Sequence, residues 1–227
     1  MNPGSPTDGN ELSCIWLLIG EQRIDQQSLK ALLSELAPSS LTYLAVKDEH
    51  SERAHQWTRD PLGLLPSGRI AITNTHSLSD TLIEAINALT GTTPYHCSTR
   101  TPRRLPLDCG ERYSGTLQLC CFRRLEGVND AQLASAWLGD HTSIALNTQS
   151  TEGYRQHWVN AHPGLSFDGI VEEYFPAAAA LSVEHFFNAV GDRGKLKQHI
   201  EAMTASTSQF LDLHQSQVIH LSDSRVN

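Results

Sequence analysis

One order of elements occurs twice along this chain, and that repetition limits the available folds more than any single residue does. "LSCIWLLIG" (12–20) is an apolar run of strand length. "DQQSLKALLSELA" (25–37) follows, with Leu29, Leu32, Leu33 and Leu36 at helical spacing behind Asp25 as a cap. Strands are predicted at 41–48 and 68–76, a helix at 79–91 between Ser79 and Gly91, and a closing strand at 93–100. The second half gives a strand at 114–124, a helix at 129–147 capped by Asn129, and strands at 152–160 and 166–175. A helix opens at 182–190 and is interrupted by Gly191 and Gly194; 195–211 continues it or forms a second helix before a last strand at 216–223.

Each half therefore reads β-α-β-β-α-β, the split βαβ or ferredoxin-like arrangement, although residue identity between the halves is poor. Such a unit is an antiparallel sheet with helices on one face and nothing on the other. A bare apolar sheet face does not stay in water. The expected fold is thus α+β, with two ferredoxin-like repeats packed sheet to sheet as an α+β barrel pseudo-dimer around an enclosed space. The expected divisions are a disordered tail (1–10), an N-terminal repeat (11–100), a linker (101–112) and a C-terminal repeat (113–227). The linker region "TRTPRRLPLDCGE" is rich in proline, which disfavours helix, and in arginine, which favours solvent. A basic patch for an acidic partner is the other reading of Arg100, Arg103 and Arg104.

Composition narrows the function. The net charge of −8 repels phosphate backbones, so nucleic acid is not expected as a partner. No run approaches the roughly 20 apolar residues of a membrane span, and the first residues lack the pattern of a signal peptide. The five cysteines are odd in number and contain no Cys-x-x-Cys, which points to a reducing, cytoplasmic setting without structural metal. No glycine-rich phosphate loop and no nucleophile motif is present, so neither a nucleotide cofactor nor covalent catalysis is expected.

Trp137 and His141 lie four residues apart on the helix at 129–147. Tyr154 and Gln156 follow on the next strand, and Asp168-Gly169 opens the third. This Trp-x-x-x-His, Tyr-x-Gln and Asp-Gly series, with "FLDLHQSQVIHLSD" near the end, resembles the EthD family of dimeric α+β barrel proteins over about residues 112–223. The resemblance implies a barrel with a small-molecule pocket. It also implies family-level association with oxidative degradation or dehydratase-type tailoring of aromatic or polyketide-like molecules. In ordinary members two chains supply the two units; here the first half would supply the second, giving a monomeric pseudo-dimer or a homodimer of such chains. The sequence departs from the pattern at His157, where the family often has Asn, and at Thr142-Ser143, where it often has a small residue and Pro. The first-half helix carries no matching His.

The residues so marked have two readings each. His141 titrates near neutrality, which suits a general acid or base; the same residue fits a buried histidine holding a backbone carbonyl. Asp168 is the expected orienter of His141, or simply part of a turn. Trp137, Tyr154, Gln156 and Trp158 offer rings and amides to a ligand, or fill the core. His157 and His162 lack metal-ligand spacing with His141, so no metal is expected. One axial histidine suffices for haem, yet nothing specific points to it. The leading expectation is cofactor-independent oxidoreductase or lyase chemistry on a small organic ligand. The alternatives are a non-catalytic binding or carrier protein using the same pocket, and an assembly subunit whose inter-sheet space is filled.

Overall fold

The computed structural model describes residues 11–20, 24–74, 77–162, 164 and 167–227; the expected tail lies outside them. The described strands are β1 (Glu11–Leu18), β2 (Leu41–Val46), β3 (Gly68–Asn74), β4 (Tyr95–Arg103), β5 (Thr116–Arg124), β6 (Gly153–Ala161), β7 (Gly169–Phe175) and β8 (Leu211–Arg225). They close one antiparallel barrel in the order β1-β3-β2-β8-β5-β7-β6-β4. The first half contributes β4-β1-β3-β2 and the second β8-β5-β7-β6, the same ferredoxin-like order in each. The halves do not stack as two separate sheets. They join edge to edge, β2 on β8 from Tyr43↔Arg225 to Val46↔Ser222, and β4 on β6 from His96↔Ala161 to Arg103↔Tyr154. Edge pairing satisfies backbone groups that a free edge would leave open, while the bare faces still turn inward.

Helices cover the outside. α1 (Gln26–Leu36), α2 (Glu49–Glu52) and α3 (Asp80–Thr90) belong to the first half. The second half holds α4 (Asp130–Leu133), a π-helical stretch (Ala134–His141) that continues it, α5 (Thr142–Thr148), α6 (Val183–Phe186) and α7 (Arg193–Thr207). The caps read from sequence are present: Asp25 accepts from the Gln27 and Ser28 amides, Ser79 from Leu82, and Asn129 forms a capping box with Gln132. Gly91 ends α3 in the left-handed region at φ 66. No described helix is long and apolar enough to cross a membrane.

Three expectations change. The helix expected over 182–190 is the four-residue α6, ended by Asn188 and Gly191 at φ 48 and 74, and Asp192 then caps α7. β8 begins at Leu211, five residues earlier than expected, because α7 stops at Thr207. β4 runs to Arg103, into the expected linker, and Leu107 beyond it is buried in the barrel core.

Strand alternation sorts side chains into two layers. Ile15, Ala45, Ala71, Cys97, Leu119, Cys121, Ile170 and Leu221 fill the barrel. Outside it, Trp16, Leu18, Ile70 and Ile72 pack under Leu29, Leu33, Leu82 and Ile86 of α1 and α3. Phe122, Tyr154, Trp158 and Val171 pack under Leu133, Trp137 and Ala145 in the second half.

Candidate functional site

The sequence-marked residues are gathered in the outer layer of the second half. Trp137 is fully buried, its ring edge-on to Phe122 at 4.7 Å and stacked on Trp158 at 6.1 Å. The Gln156 amide donates to Thr142 Oγ1 (3.0 Å) and to the Tyr154 hydroxyl (3.2 Å), while Thr142 Oγ1 donates to the Trp137 carbonyl (3.0 Å) across the widened π-turn. His141 lies in this helix layer, not in the barrel. Its Nδ1 is 2.9 Å from Ser206 Oγ of α7 and its ring is edge-on to Phe210 at 5.2 Å. Burial pushes its pKa down to about 4, so it is neutral near pH 7.

Asp168 does not orient His141. Its carboxylate accepts from the Arg124 amide (2.9 Å) and guanidinium (2.6 Å), and Arg124 in turn lies over the Trp158 ring at 5.7 Å. Gly169 has a packing reason: a Cβ there would lie 2.4 Å from Phe122 and 2.6 Å from Trp137. Asp168-Gly169 thus fastens β7 beneath the π-helix. Trp137, His141, Tyr154, Gln156 and Trp158 do not line the inter-sheet space expected for them: the side chains of this face point outward under the helices and pack on one another.

The opposite face of β6, which holds Arg155 and His157, turns into the barrel. Arg155 and Arg69 meet Glu172 at 2.6 and 2.7 Å, Arg69 also meets Asp223 at 3.1 Å, and His157 Nε2 lies 3.5 Å from Glu172. The Arg69–Glu172 contact is an ion pair whose angle departs from hydrogen-bond alignment. Tyr174 donates to Asp223 at 2.6 Å and receives Arg155. Thr99 Oγ1 lies 2.8 Å from His157 Nδ1. Burial alone would raise the Glu172 carboxyl, but Arg155, Arg69 and His157 outweigh it and hold Glu172 ionised far below the ordinary range. Burial lowers the pKa of His157 despite Glu172 beside it. Two arginines against two carboxylates make this cluster self-compensated.

A second polar row crosses the outer face. Gln118 Nε2 donates to Glu173 (2.8 Å), so its oxygen accepts from His220 Nε2 (3.2 Å), which leaves His220 Nδ1 to accept from Thr116 (2.9 Å). Burial raises the pKa of Glu173 to about 7, against the Gln118 hydrogen bond, and lowers that of His220 to about 4.

Cavities open at the two ends of the barrel, and β1 runs from one to the other. At its far end Leu17, Ile19, Leu64, Tyr95, His162 and Phe167 line an apolar cavity of about 370 Å³. Ile19 and Leu64 are 47% and 49% exposed, so the lip is apolar too. Tyr95 stacks on His162 at 3.8 Å and lies 6.0 Å from Phe167. The Gly164 amide donates to His162 Nδ1 at 3.0 Å, which puts the imidazole proton on Nε2. Burial, partly offset by Thr93, keeps the His162 pKa below the ordinary histidine value. At the near end Glu11, Tyr43, Arg103, Arg155, Tyr174 and Arg225 line a cavity of about 250 Å³. Among the described residues no three His, Cys, Asp or Glu cluster as a metal would need.

The sequence reading weighed His162 only as a metal ligand and gave Arg155 no role. The available signal was position: Arg69, Arg155, Glu172 and Asp223 are charged residues set inside apolar strands.

No protein-family model and no curated protein matches the sequence. Solved structures do resemble the fold. A crystal structure of an anthrone oxidase-like protein is 11% identical, with a TM-score of 0.51 over 97% of this chain and 95% of that one. A mutant chlorite dismutase from Candidatus Nitrospira defluvii, in complex with cyanide, is 9% identical, with a TM-score of 0.52 over 98% of this chain and 96% of that one. At such identity the likeness speaks for the fold alone: the chain has the architecture of the dimeric α+β barrels.

Proposed function

We propose that the protein takes a small aromatic or polyketide-like molecule into the apolar end of its barrel, and that it is an EthD-like protein in which one chain carries both units as an internal duplication. The carrying observation is the aromatic-walled cavity of about 370 Å³, a size at the lower end of small-molecule sites. Tyr95, Phe167 and His162 give a flat ligand rings to stack on. His162 Nε2–H faces Thr93 Oγ1 at 3.5 Å, a long contact that a ligand oxygen would share or displace, and this group takes the place that the sequence reading gave to His141. The anthrone oxidase-like neighbour supports oxidative chemistry on an aromatic substrate, with molecular oxygen as the co-reactant.

A second reading, a carrier, is favoured by one observation. His162 Nδ1 is occupied by Gly164, and burial raises the Tyr95 pKa well above its ordinary value, so neither acts as a ready base at pH 7. One experiment separates the readings: calorimetric titration with 1-naphthol, and oxygen uptake with anthrone. Binding with oxygen uptake above the buffer rate supports the enzyme, and binding alone supports the carrier. His162→Ala and Ile19→Gln should each weaken 1-naphthol binding several-fold. Unchanged binding in both variants, with wild-type melting curves, overturns the site.

A further inference from the structure

The other end of the barrel is built for different chemistry. Its lining carries four arginines, Arg103, Arg104, Arg155 and Arg225, against two acids, Glu11 and Asp108. Arg104 is matched by Glu11 and Arg155 by Glu172, so the side-chain surplus is Arg103 and Arg225 against Asp108, a positive balance within a chain whose net charge is −8.

The arginines differ in how far they are already used. Arg104 sits 4.0 Å from Glu11 on the exposed rim. Arg155 is spent in part on Glu172, but its Nη1 is buried with no hydrogen-bond partner among the described residues. Arg103 donates to the Thr151 carbonyl. Arg225 donates to the main-chain oxygens of Leu107 and Asn227 at 2.9 and 3.0 Å. Neither Arg103 nor Arg225 has an Asp or Glu carboxylate within ion-pair distance among the described residues. These main-chain bonds hold the two guanidiniums in place, and no described Asp or Glu side chain neutralises them. A planar fork held in this way matches a carboxylate, with which it makes two parallel, charge-assisted hydrogen bonds.

The remaining walls are apolar. Leu41, Leu105 and Leu107 line the same space, and the Tyr43 ring carries the Arg155 guanidinium at 4.0 Å. A bare inorganic anion would leave these walls wet, and a neutral hydrocarbon would leave the arginines unpaired. We infer that this end of the barrel is a binding site for a small organic carboxylate with an apolar body, its carboxylate held by Arg103 and Arg225 and its body lying against Tyr43 and Leu105. The filled interior, with the Arg69–Glu172–Arg155 cluster, separates it from the apolar cavity at the far end. The inference does not depend on what the far cavity binds.

The test is calorimetric titration of the full chain with sodium benzoate, benzyl alcohol and inorganic phosphate at pH 7.5. Benzoate should bind at least about tenfold more tightly than either comparator, because only it has both the fork-matching charge and the ring. Its affinity should fall as salt rises. Arg103→Gln and Arg225→Gln should each weaken benzoate binding about tenfold, while Ile19→Gln at the far end leaves it unchanged. Equal affinity for benzyl alcohol that persists in Ile19→Gln shows an apolar pocket only at this end and overturns the proposal. Equal affinity for phosphate shows a general anion site and overturns the organic part. Loss of benzoate binding in Ile19→Gln assigns the anion to the wrong end and overturns it outright. If the arginine variants do not fold, the three-ligand comparison in Ile19→Gln, with the far cavity altered, still decides.

Discussion

Outside β1 and β3, the first half buries Trp16, Leu18, Ile70 and Ile72 under two regular helices that meet them with leucine and isoleucine. Outside β5, β6 and β7, the second half buries Gln156, Glu173 and His141 among Trp137, Tyr154 and Trp158, under a helix that widens into a π-turn. The strand order is the same in both. The inner face repeats the contrast: Arg155, His157, Glu172 and Asp223 come from the second half, and only Arg69 of the ion cluster comes from the first. Apart from Arg69, the first half's buried polar groups are serine and threonine hydroxyls, while the second half also buries amides, histidines and carboxylates that each need a partner. The two barrel-end cavities nonetheless draw on both halves.

The largest effect that sharpens this contrast is in the ion cluster. Glu172→Ala removes the carboxylate between Arg69 and Arg155 and should cost on the order of 3–5 kcal/mol, read by urea unfolding. A cost below about 1 kcal/mol would show that these charges are not held in a dry interior.

His141→Ala comes next. As a buried histidine bonded to Ser206, it should contribute about 1–3 kcal/mol at pH 7.5. Its folded pKa of about 4 lies below the unfolded value near 6.5. That contribution is therefore full above pH 6.5 and is lost as pH falls toward 4. Melting curves of both proteins at pH 7.5 and 5 check it; a difference that grows on acidification breaks the account.

Gly169→Ala should cost about 1–3 kcal/mol by overpacking against Phe122 and Trp137. Gly139→Ala has nothing within 4 Å of the added methyl and should be neutral or slightly stabilising. Equal effects would show that the space under the π-helix is not tight.

The smallest effect expected is at Glu173. Its folded pKa of about 7 exceeds the unfolded value near 4.5, so it favours the fold at low pH and loses that contribution as pH rises to 7. Glu173→Gln should therefore melt higher than the wild type at pH 8, by a margin that shrinks toward pH 5. A margin independent of pH would contradict the burial of an ionisable group there.

Much of this was legible in the sequence. The periods of 3.6 and 2, with Asp25, Ser79, Asn129 and Gly91 as stops and caps, gave the element order. What alternation does not give is which strand face looks inward. Tyr154, Gln156 and Trp158 read as a ligand face, but helices cover them, while Arg155 and His157 line the barrel. In a barrel wrapped by helices both faces are buried, so polarity no longer marks the outside. The ion cluster joins strands far apart in sequence, Arg69 to Asp223 among them, and only the closed register brings them together. Asp168-Gly169 had a reason the sequence did not show, the close approach of Trp137.

The central claim is that an aromatic ligand occupies the far end of the barrel and not the layer around His141. Intermolecular NOEs from bound 1-naphthol to the isotope-labelled protein test it directly. The account predicts NOEs to the rings of Tyr95, Phe167 and His162 and to the methyls of Leu17 and Ile19. NOEs to Trp137, Tyr154 and Trp158 instead would contradict it and return the site to the helix layer.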